Sequence, residues 1–180
     1  MAQFPEKEDA KALNEKYNGL IEQGDNTFLA KDYSSEWLAW QHAIKEVKKK
    51  YVFEKFICLP VTSPLRLNND IIKCINKLDY KSDMIVAIQK TERNPWFNMV
   101  KTKDKNYFEI VNKTPRKIVD IRQKAPKVYD MTTVCYVTTP EYVLKNRSIF
   151  SGNVGAVIIP QERALDIDTN FDLKVARLLY

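Results

Sequence analysis

Two aspartates near the C-terminus, Asp166 and Asp168, have the spacing and the chemistry to hold a metal ion. Side chains two residues apart on an extended segment point to the same side, so both carboxylates can face one hard cation. Mg²⁺ suits such a pair, because one or two carboxylates commonly hold it while phosphates and water complete its octahedron. An isolated Asp-x-Asp is also typical of a solvated turn or a helix cap, and Asp172 fits a first-turn helix charge better than a third ligand.

A second polar cluster lies about a hundred residues earlier, in the segment LPVTSPLR at residues 59–66. Thr62 and Ser63 supply hydroxyl groups and Arg66 supplies a guanidinium, a set able to hold a nucleotide or sugar oxygen. The same residues could equally form a strand end followed by a proline turn. The chemistry therefore depends on which elements present them.

The surrounding pattern predicts an α/β fold. Residues 53–61 and 83–89 are mostly apolar and predict buried strands, and residues 68–78 between them predict a helix, with apolar positions at helical spacing. A strand-helix-strand unit implies parallel strands joined by a right-handed crossover, with ligands outside the carboxyl ends of the strands. That rule puts the cluster at 62–66 on the ligand edge of a sheet.

Further elements flank this unit. Helices are predicted at residues 6–17 and, after Ser34 and Ser35, through a face that includes Trp37, Leu38, Trp40, Ile44 and Val47. Strands are predicted at 106–111, 128–137 and 154–159, a short helix at 140–144, and a terminal helix opened by Thr169 or Asn170. With 180 residues, 44% of them hydrophobic, the chain favours one domain over residues 1–180.

Composition narrows the classes of function. A net charge of +6 suits an anionic partner such as a nucleotide, an acidic sugar or a nucleic acid. Nucleic-acid binding is disfavoured, because 23 acidic residues are interspersed with the basic ones and no recognised motif is present. No apolar stretch could span a bilayer and the N-terminus has no apolar signal core, so we expect a cytoplasmic protein without membrane partners.

Cysteine and histidine usage points away from metal-thiolate chemistry. Cys58, Cys74 and Cys135 are odd in number, widely spaced and set among apolar residues, which favours reduced core side chains. The only histidine, His42, cannot supply a zinc site by itself.

In their order and separation, LPVTSPLR and the later DIDT at residues 166–169 resemble motifs of the acylneuraminate cytidylyltransferases, also called CMP-sialic acid synthetases. Those enzymes join CMP from CTP to an acidic nine-carbon sugar. Further stretches agree with members that act on bacterial sialic-acid relatives, namely RNPWFNMV at 93–100, RQKAPKVYD at 122–130 and QER at 161–163. The likeness runs from about Asp32 to the C-terminus.

The resemblance implies a three-layer α/β/α sandwich with a mostly parallel sheet, similar to the nucleotide-diphospho-sugar transferases. It implies that the sugar's anomeric hydroxyl attacks the α-phosphate of CTP, with Mg²⁺ stabilising the transition state. Residues 96–129 resemble the family's dimerisation arm, so a homodimer is expected. The implied site residues are Asp166, Asp168 and Arg66 as catalytic groups, the first two holding Mg²⁺, and Thr62, Ser63, Arg122, Gln123 and Arg163 as substrate contacts.

Departures from the family pattern leave two matters open. Sialic-acid-specific members usually carry Arg and Asn where this chain has Asp130 and Thr132, so sialic-, legionaminic- and pseudaminic-type sugars all remain candidates. Arg122 could also be one more member of a solvated basic loop at residues 113–127.

The family's Gly-, Arg- and Lys-rich phosphate-binding loop has no counterpart before Phe53, which predicts an N-terminally truncated fold with an open sheet edge. Two hypotheses follow from that absence. The chain is either a cytidylyltransferase that needs a separate N-terminal fragment, or a catalytically inactive fragment with a sugar-binding or dimer-forming role.

Overall fold

The computed structural model describes residues 36–113 and 119–180. The chain divides into two compact units between Val52 and Phe53. The helix predicted at residues 6–17 lies outside the described residues, and the single domain over the whole chain stays a prediction. No helix in the described ranges is long and apolar enough to cross a membrane.

Helix α1, Glu36–Lys48, belongs to the first unit. Its apolar face buries Trp37, Trp40 and Ile44, and the two indole rings lie 5.4 Å apart between centroids. Leu38, predicted for the same face, is exposed. Glu36 in the first turn and basic residues in the last turn complement the helix dipole.

The second unit contains a four-stranded sheet and a two-stranded hairpin. Its strands are β1 (Phe56–Cys58), β2 (Met84–Lys90), β3 (Val100–Asp104), β4 (Tyr107–Ile110), β5 (Tyr129–Thr138) and β6 (Val154–Ile158). Its helices are α2 (Asn68–Lys77), α3 (Pro140–Lys145) and α4 (Asn170–Leu179), with 3₁₀ turns at Arg122–Lys124 and Gln161–Arg163. Strand β3 is absent from the sequence-based prediction because all five of its residues are exposed and it carries no apolar face.

The four-stranded sheet has the order β1-β5-β2-β6. Strand β5 pairs antiparallel with both β1 and β2, and only β2 with β6 is a parallel pair. The α/β class is confirmed, but the mostly parallel sheet is wrong for the described residues, and the three-layer arrangement stays a prediction. Strands β1 and β2 do run in the same direction, as the crossover rule requires, yet β5 lies between them.

One face of this sheet carries the main core. Helix α2 packs on β2, β5 and β6, and Cys74 joins Ile85, Val137 and Ile159 in a fully buried apolar cluster. Cys74 and Cys135 are buried free thiols and Cys58 is half-buried, so the prediction of unbridged cysteines is confirmed. Strand β1 is short and forms one edge of the sheet in the described part of the chain, and its Ile57 is exposed rather than buried.

Candidate functional site

The carboxyl ends of three strands meet at one edge of the sheet. Strands β1 and β2 both oppose β5, and β6 runs parallel to β2, so all three point the same way. The segments that leave this edge are residues 59–66 after β1, residues 91–93 after β2 and residues 159–169 after β6. The sequence-predicted site segments 59–66 and 166–169 therefore emerge from the same side of the sheet.

A backbone hydrogen bond joins the two site segments. The Ile167 N–H donates to the carbonyl oxygen of Thr62 over 2.9 Å, although about a hundred residues separate them in the sequence. Asp166 and Asp168 flank the donor in the sequence, so this hydrogen bond holds their backbone beside the loop that carries Thr62. The structure thus brings together the two segments that the sequence singles out.

Arg66 is bound to its own loop. Its Nε donates to the Ser63 carbonyl over 2.7 Å, and its Nη2 donates to the Pro60 carbonyl. Burial lowers the pKa of the Arg66 guanidinium, and the negative charge of Asp166 is among the weaker influences that oppose this. Arg66 therefore shapes the 59–66 loop and carries a positive charge near Asp166.

Ser63 is fully buried, and its hydroxyl shares a 2.6 Å hydrogen bond with the hydroxyl of Thr133. Thr133 lies in a bulge of β5, where the pairing with β2 shifts from Tyr136 to Thr132 between successive β2 residues. Bulges of this kind redirect side chains and are frequent beside active sites. A substrate contact by Ser63 stays a prediction, whereas half-buried Thr62 lies closer to solvent.

The two aspartates differ in environment. Asp166 is half-buried, and its Oδ1 is a buried oxygen with no hydrogen-bond partner. Asp168 is exposed. Within residues 36–113 and 119–180, no group of three or more His, Cys, Asp or Glu side chains could hold a metal ion, so the pair would act as two carboxylates without a third.

Asp172 lies in the first turn of α4, as the sequence predicts, and its carboxylate also caps the helix. Its Oδ2 accepts hydrogen bonds from the Thr169 N–H at 2.8 Å and the Thr169 hydroxyl at 2.6 Å. In return, the Thr169 hydroxyl accepts from the Asp172 N–H, which completes a capping box at the start of α4. These hydrogen bonds lower the pKa of Asp172, and they leave its carboxylate committed to the helix start.

Arg163 is held in an ion pair that sequence reasoning missed. Its Nε lies 2.9 Å from Oδ2 of Asp70 and its Nη2 lies 3.0 Å from Oδ1, a bidentate arrangement. Asp70 is only 1% exposed and also accepts a hydrogen bond from the Leu67 N–H at 3.1 Å. The only sequence signal for Asp70 is an acidic residue in the first turn of α2, which does not reveal a partner 93 residues away.

A cavity of about 280 Å³ opens where β2 ends and β5 begins. Its walls carry both signs of charge, and the Oε1 of Gln89 in its lining is buried without a hydrogen-bond partner. The lining comprises Gln89, Lys90, Thr91, Glu92, Arg93, Met99, Asp130 and Gln161. Thr132, by contrast, is buried and donates its hydroxyl to the Ala87 carbonyl, so it does not face this space.

Arg122 and Gln123 lie on the exposed 3₁₀ turn Arg122–Lys124. The segment that follows is tied to the turn after β2, because Asn94 Nδ2 donates to the Pro126 carbonyl over 2.9 Å. That segment then continues into β5, whose Asp130 lines the cavity. The two residues therefore precede the cavity wall, and their contact with a substrate stays a prediction.

Similar proteins of known name come from Campylobacter species. The post-translational flagellin modification protein B of Campylobacter coli is 29% identical over 91% of this chain and 69% of its own length. The CMP-N,N'-diacetyllegionaminic acid synthase of Campylobacter jejuni is 33% identical over 53% of this chain and 39% of its own length. A pseudaminic acid cytidylyltransferase of the same species is 26% identical over 84% and 65%, respectively.

The chain thus spans less than two thirds of the length of the two Campylobacter jejuni relatives. No family model matches it.

Proposed function

We propose that the chain is a member of the acylneuraminate cytidylyltransferase family and transfers CMP from CTP to the anomeric hydroxyl of an acidic nonulosonic sugar, releasing pyrophosphate. Its similarity to the named Campylobacter proteins supports this proposal. The observation that carries the proposal is the hydrogen bond from Ile167 to Thr62, which unites the family's two motif segments in one site. The relatives are named as a legionaminic acid synthase and a pseudaminic acid cytidylyltransferase, which favours an enzyme over an inactive fragment.

Mg²⁺ is the proposed cofactor, and Asp166 and Asp168 would hold it. The residues fit such an ion, because the buried Oδ1 of Asp166 lacks a hydrogen-bond partner and both donors are carboxylates. When bound, Mg²⁺ supplies charge stabilisation to the reacting phosphates. Asp166 and Asp168 would supply the carboxylate oxygens, and Arg66 stabilises the neighbouring 59–66 loop through hydrogen bonds to two backbone carbonyls.

The acidic sugar is proposed to bind at the 280 Å³ cavity, and Arg122 and Gln123, on the exposed turn that precedes β5, are proposed to contact it as well. Lys90 and Arg93 provide cations for the sugar carboxylate, and an arginine can pair with it bidentately. Asp130 in the same wall can accept hydrogen bonds from hydroxyl or amide N–H groups but repels a carboxylate. This set supports an amide-bearing nonulosonic acid of the legionaminic or pseudaminic type, with the carboxylate directed away from Asp130.

The test is pyrophosphate release from CTP and Mg²⁺ with a panel of sialic, legionaminic and pseudaminic acids. The chain is assayed alone and fused to a family N-terminal phosphate-binding segment, because residues 1–52 contain no Gly-, Arg- and Lys-rich loop of that kind. Release that depends on one of these sugars supports the proposal. Absence of release from a folded fusion with every sugar would contradict it.

A homodimer formed through residues 96–129 is part of the proposal. The β3–β4 hairpin exposes Val100, Tyr107 and Phe108 by 61%, 66% and 66%, respectively. Val100 and Phe108 lie on the same face of the hairpin, since Val100 is opposite Ile110 and Phe108 is opposite Thr102, whereas Tyr107 lies on the other face. Isolated exposed apolar side chains are ordinary, but two on one face of a two-stranded hairpin suit a protein contact. Lys113 and Glu109 form an ion pair on the same hairpin, which keeps one side of it polar.

Phe108→Asp is expected to shift the protein from dimer to monomer, because it places a charge in the proposed contact at a cost typical of an interface hot spot, about 2 kcal/mol or more. Light scattering coupled to gel filtration measures the mass. Lys103→Glu, an exposed charge change on the same hairpin, is the control and is expected to leave the mass unchanged. An unaltered mass for Phe108→Asp would reject the hairpin as the contact.

A further inference from the structure

We propose that the Asp70–Arg163 ion pair is a positioning device for the metal-carrying segment, and that Arg163 acts through Asp166 rather than on the substrate. The inference rests on the proposed function and reassigns Arg163, which the family resemblance places among substrate contacts. It begins from the bonding of the pair. Both oxygens of Asp70 accept from the Arg163 guanidinium, and Oδ2 accepts from the Leu67 N–H as well.

All three nitrogens of the Arg163 guanidinium therefore face acidic side chains of the protein. Two of its three nitrogens face Asp70, and the third lies 3.6 Å from Glu162. If a substrate bound Arg163 instead, the Asp70 carboxylate would lose its ion-pair partner. That carboxylate is buried, with only 1% of Asp70 exposed. A buried charge without a partner is strongly unfavourable, so the intact Asp70–Arg163 pair is more stable than a state in which Arg163 binds a substrate.

The position of the pair explains what it does. Asp70 lies in the first turn of α2, immediately after the 59–66 loop, and Arg163 lies three residues before Asp166. Ile167, one residue beyond Asp166, is fixed to Thr62 by its own hydrogen bond. Asp166 thus lies between two anchors that tie the same short segment to the loop and helix after β1.

Two anchors around one residue leave its carboxylate little freedom. Between them, Ala164 is buried in the core cluster, which restrains the segment further. As a result, Oδ1 of Asp166 is buried but accepts no hydrogen bond from the protein, so its lone pairs are available to a metal ion. Partners outside the ligand set that orient ligands in this way are expected to affect metal affinity.

The charge state of the pair suits a permanent anchor. Burial by itself raises the pKa of Asp70, but the hydrogen bonds from Arg163 and Leu67 outweigh it and leave the pKa below its ordinary value. Asp70 therefore remains ionised throughout the pH range of an ordinary enzyme assay. The anchor would open only in acid, as the pH falls through the lowered pKa of Asp70.

Mn²⁺ binding to the full chain, followed by electron paramagnetic resonance, tests the proposal without relying on turnover. Arg163→Lys keeps the charge but cannot form the bidentate pair, and it is expected to weaken Mn²⁺ binding by about tenfold or more. Asp70→Asn, which keeps the shape of the side chain, is expected to weaken it in the same direction. Arg147→Lys, an exposed arginine outside the site, is the matched control and should bind as the unchanged chain does.

The outcomes separate the two proposals. Unchanged Mn²⁺ affinity in folded Arg163→Lys and Asp70→Asn overturns the positioning role, even if thermal stability falls. A raised KM for the sugar with unchanged Mn²⁺ affinity restores Arg163 to the substrate contacts and also overturns it. Failure of the unchanged chain to bind Mn²⁺ rejects the metal part of the proposed function, and this inference with it.

Discussion

Asp168→Asn is expected to lower CMP transfer at saturating Mg²⁺ by about 10²- to 10³-fold, and Asp166→Asn by at least as much. Each substitution removes one of two carboxylates that would hold the ion, in a region where no group of three or more His, Cys, Asp or Glu side chains is described. The loss at Asp166 should be the larger, because its Oδ1 is buried and has no other partner. Steady-state kcat for pyrophosphate release measures the effect in whichever form of the chain is active.

Asp172→Asn is the matched control for both aspartates. It makes the same change of charge within a few residues, but its carboxylate belongs to the capping box with Thr169. Its expected effect is a small loss in the free energy of unfolding, because the capping box is weakened, with less than about a tenfold change in kcat. If Asp168→Asn behaved like this control, the assignment of the metal site would be wrong.

The position of the 59–66 loop at the ligand edge of the sheet could be predicted from the sequence, because the strand-helix-strand rule supplies the direction of β1 and β2. Its convergence with residues 166–169, which follow β6, was implied only by the family resemblance. Both strands do run the same way, so the loop that carries Thr62 leaves the expected edge of the sheet. The strand-helix-strand rule was sufficient to predict this edge, although it does not predict which strands are neighbours in the sheet.

The place of β5 could not be predicted in this way. Residues 134–137 are buried one after another, as in a strand covered on both faces. A central antiparallel strand and a parallel strand then carry the same continuous apolar run, so the pattern does not distinguish them. The bulge that turns Thr133 toward Ser63 depends on pairing between distant strands, and the apolar pattern contains no sign of it.

The roles of the charged residues were harder to predict than their location. Arg66 and Arg163 are both matched to family motifs, and both are bound to the protein itself in the structure. The sequence does not distinguish an arginine that pairs with groups of the protein from an arginine that binds an anionic substrate. Only the positions of acceptors such as the Ser63 carbonyl and Asp70 distinguish the two situations.

Arg66→Gln is the second substitution with a large expected effect. It removes the donors to the Pro60 and Ser63 carbonyls, and leaving such a buried acceptor unpaired costs about 1–3 kcal/mol. We expect a loss of that size in the free energy of unfolding, measured by urea denaturation. The altered 59–66 loop should also lower kcat by about 100-fold, equivalent to a barrier increase of about 2.7 kcal/mol.

Mn²⁺ binding gives Arg66→Gln a signature that differs from that of Arg163→Lys. Because the Arg66 charge acts on Asp166, its removal should leave cation affinity at the aspartates unchanged or raise it. Arg163→Lys should instead weaken binding, since it releases an anchor and keeps the charge. Arg177→Lys, on the exposed face of α4, is the control for both. Weakened Mn²⁺ binding in Arg66→Gln would mean that the 59–66 loop, and not the Arg163 anchor alone, sets the position of Asp166.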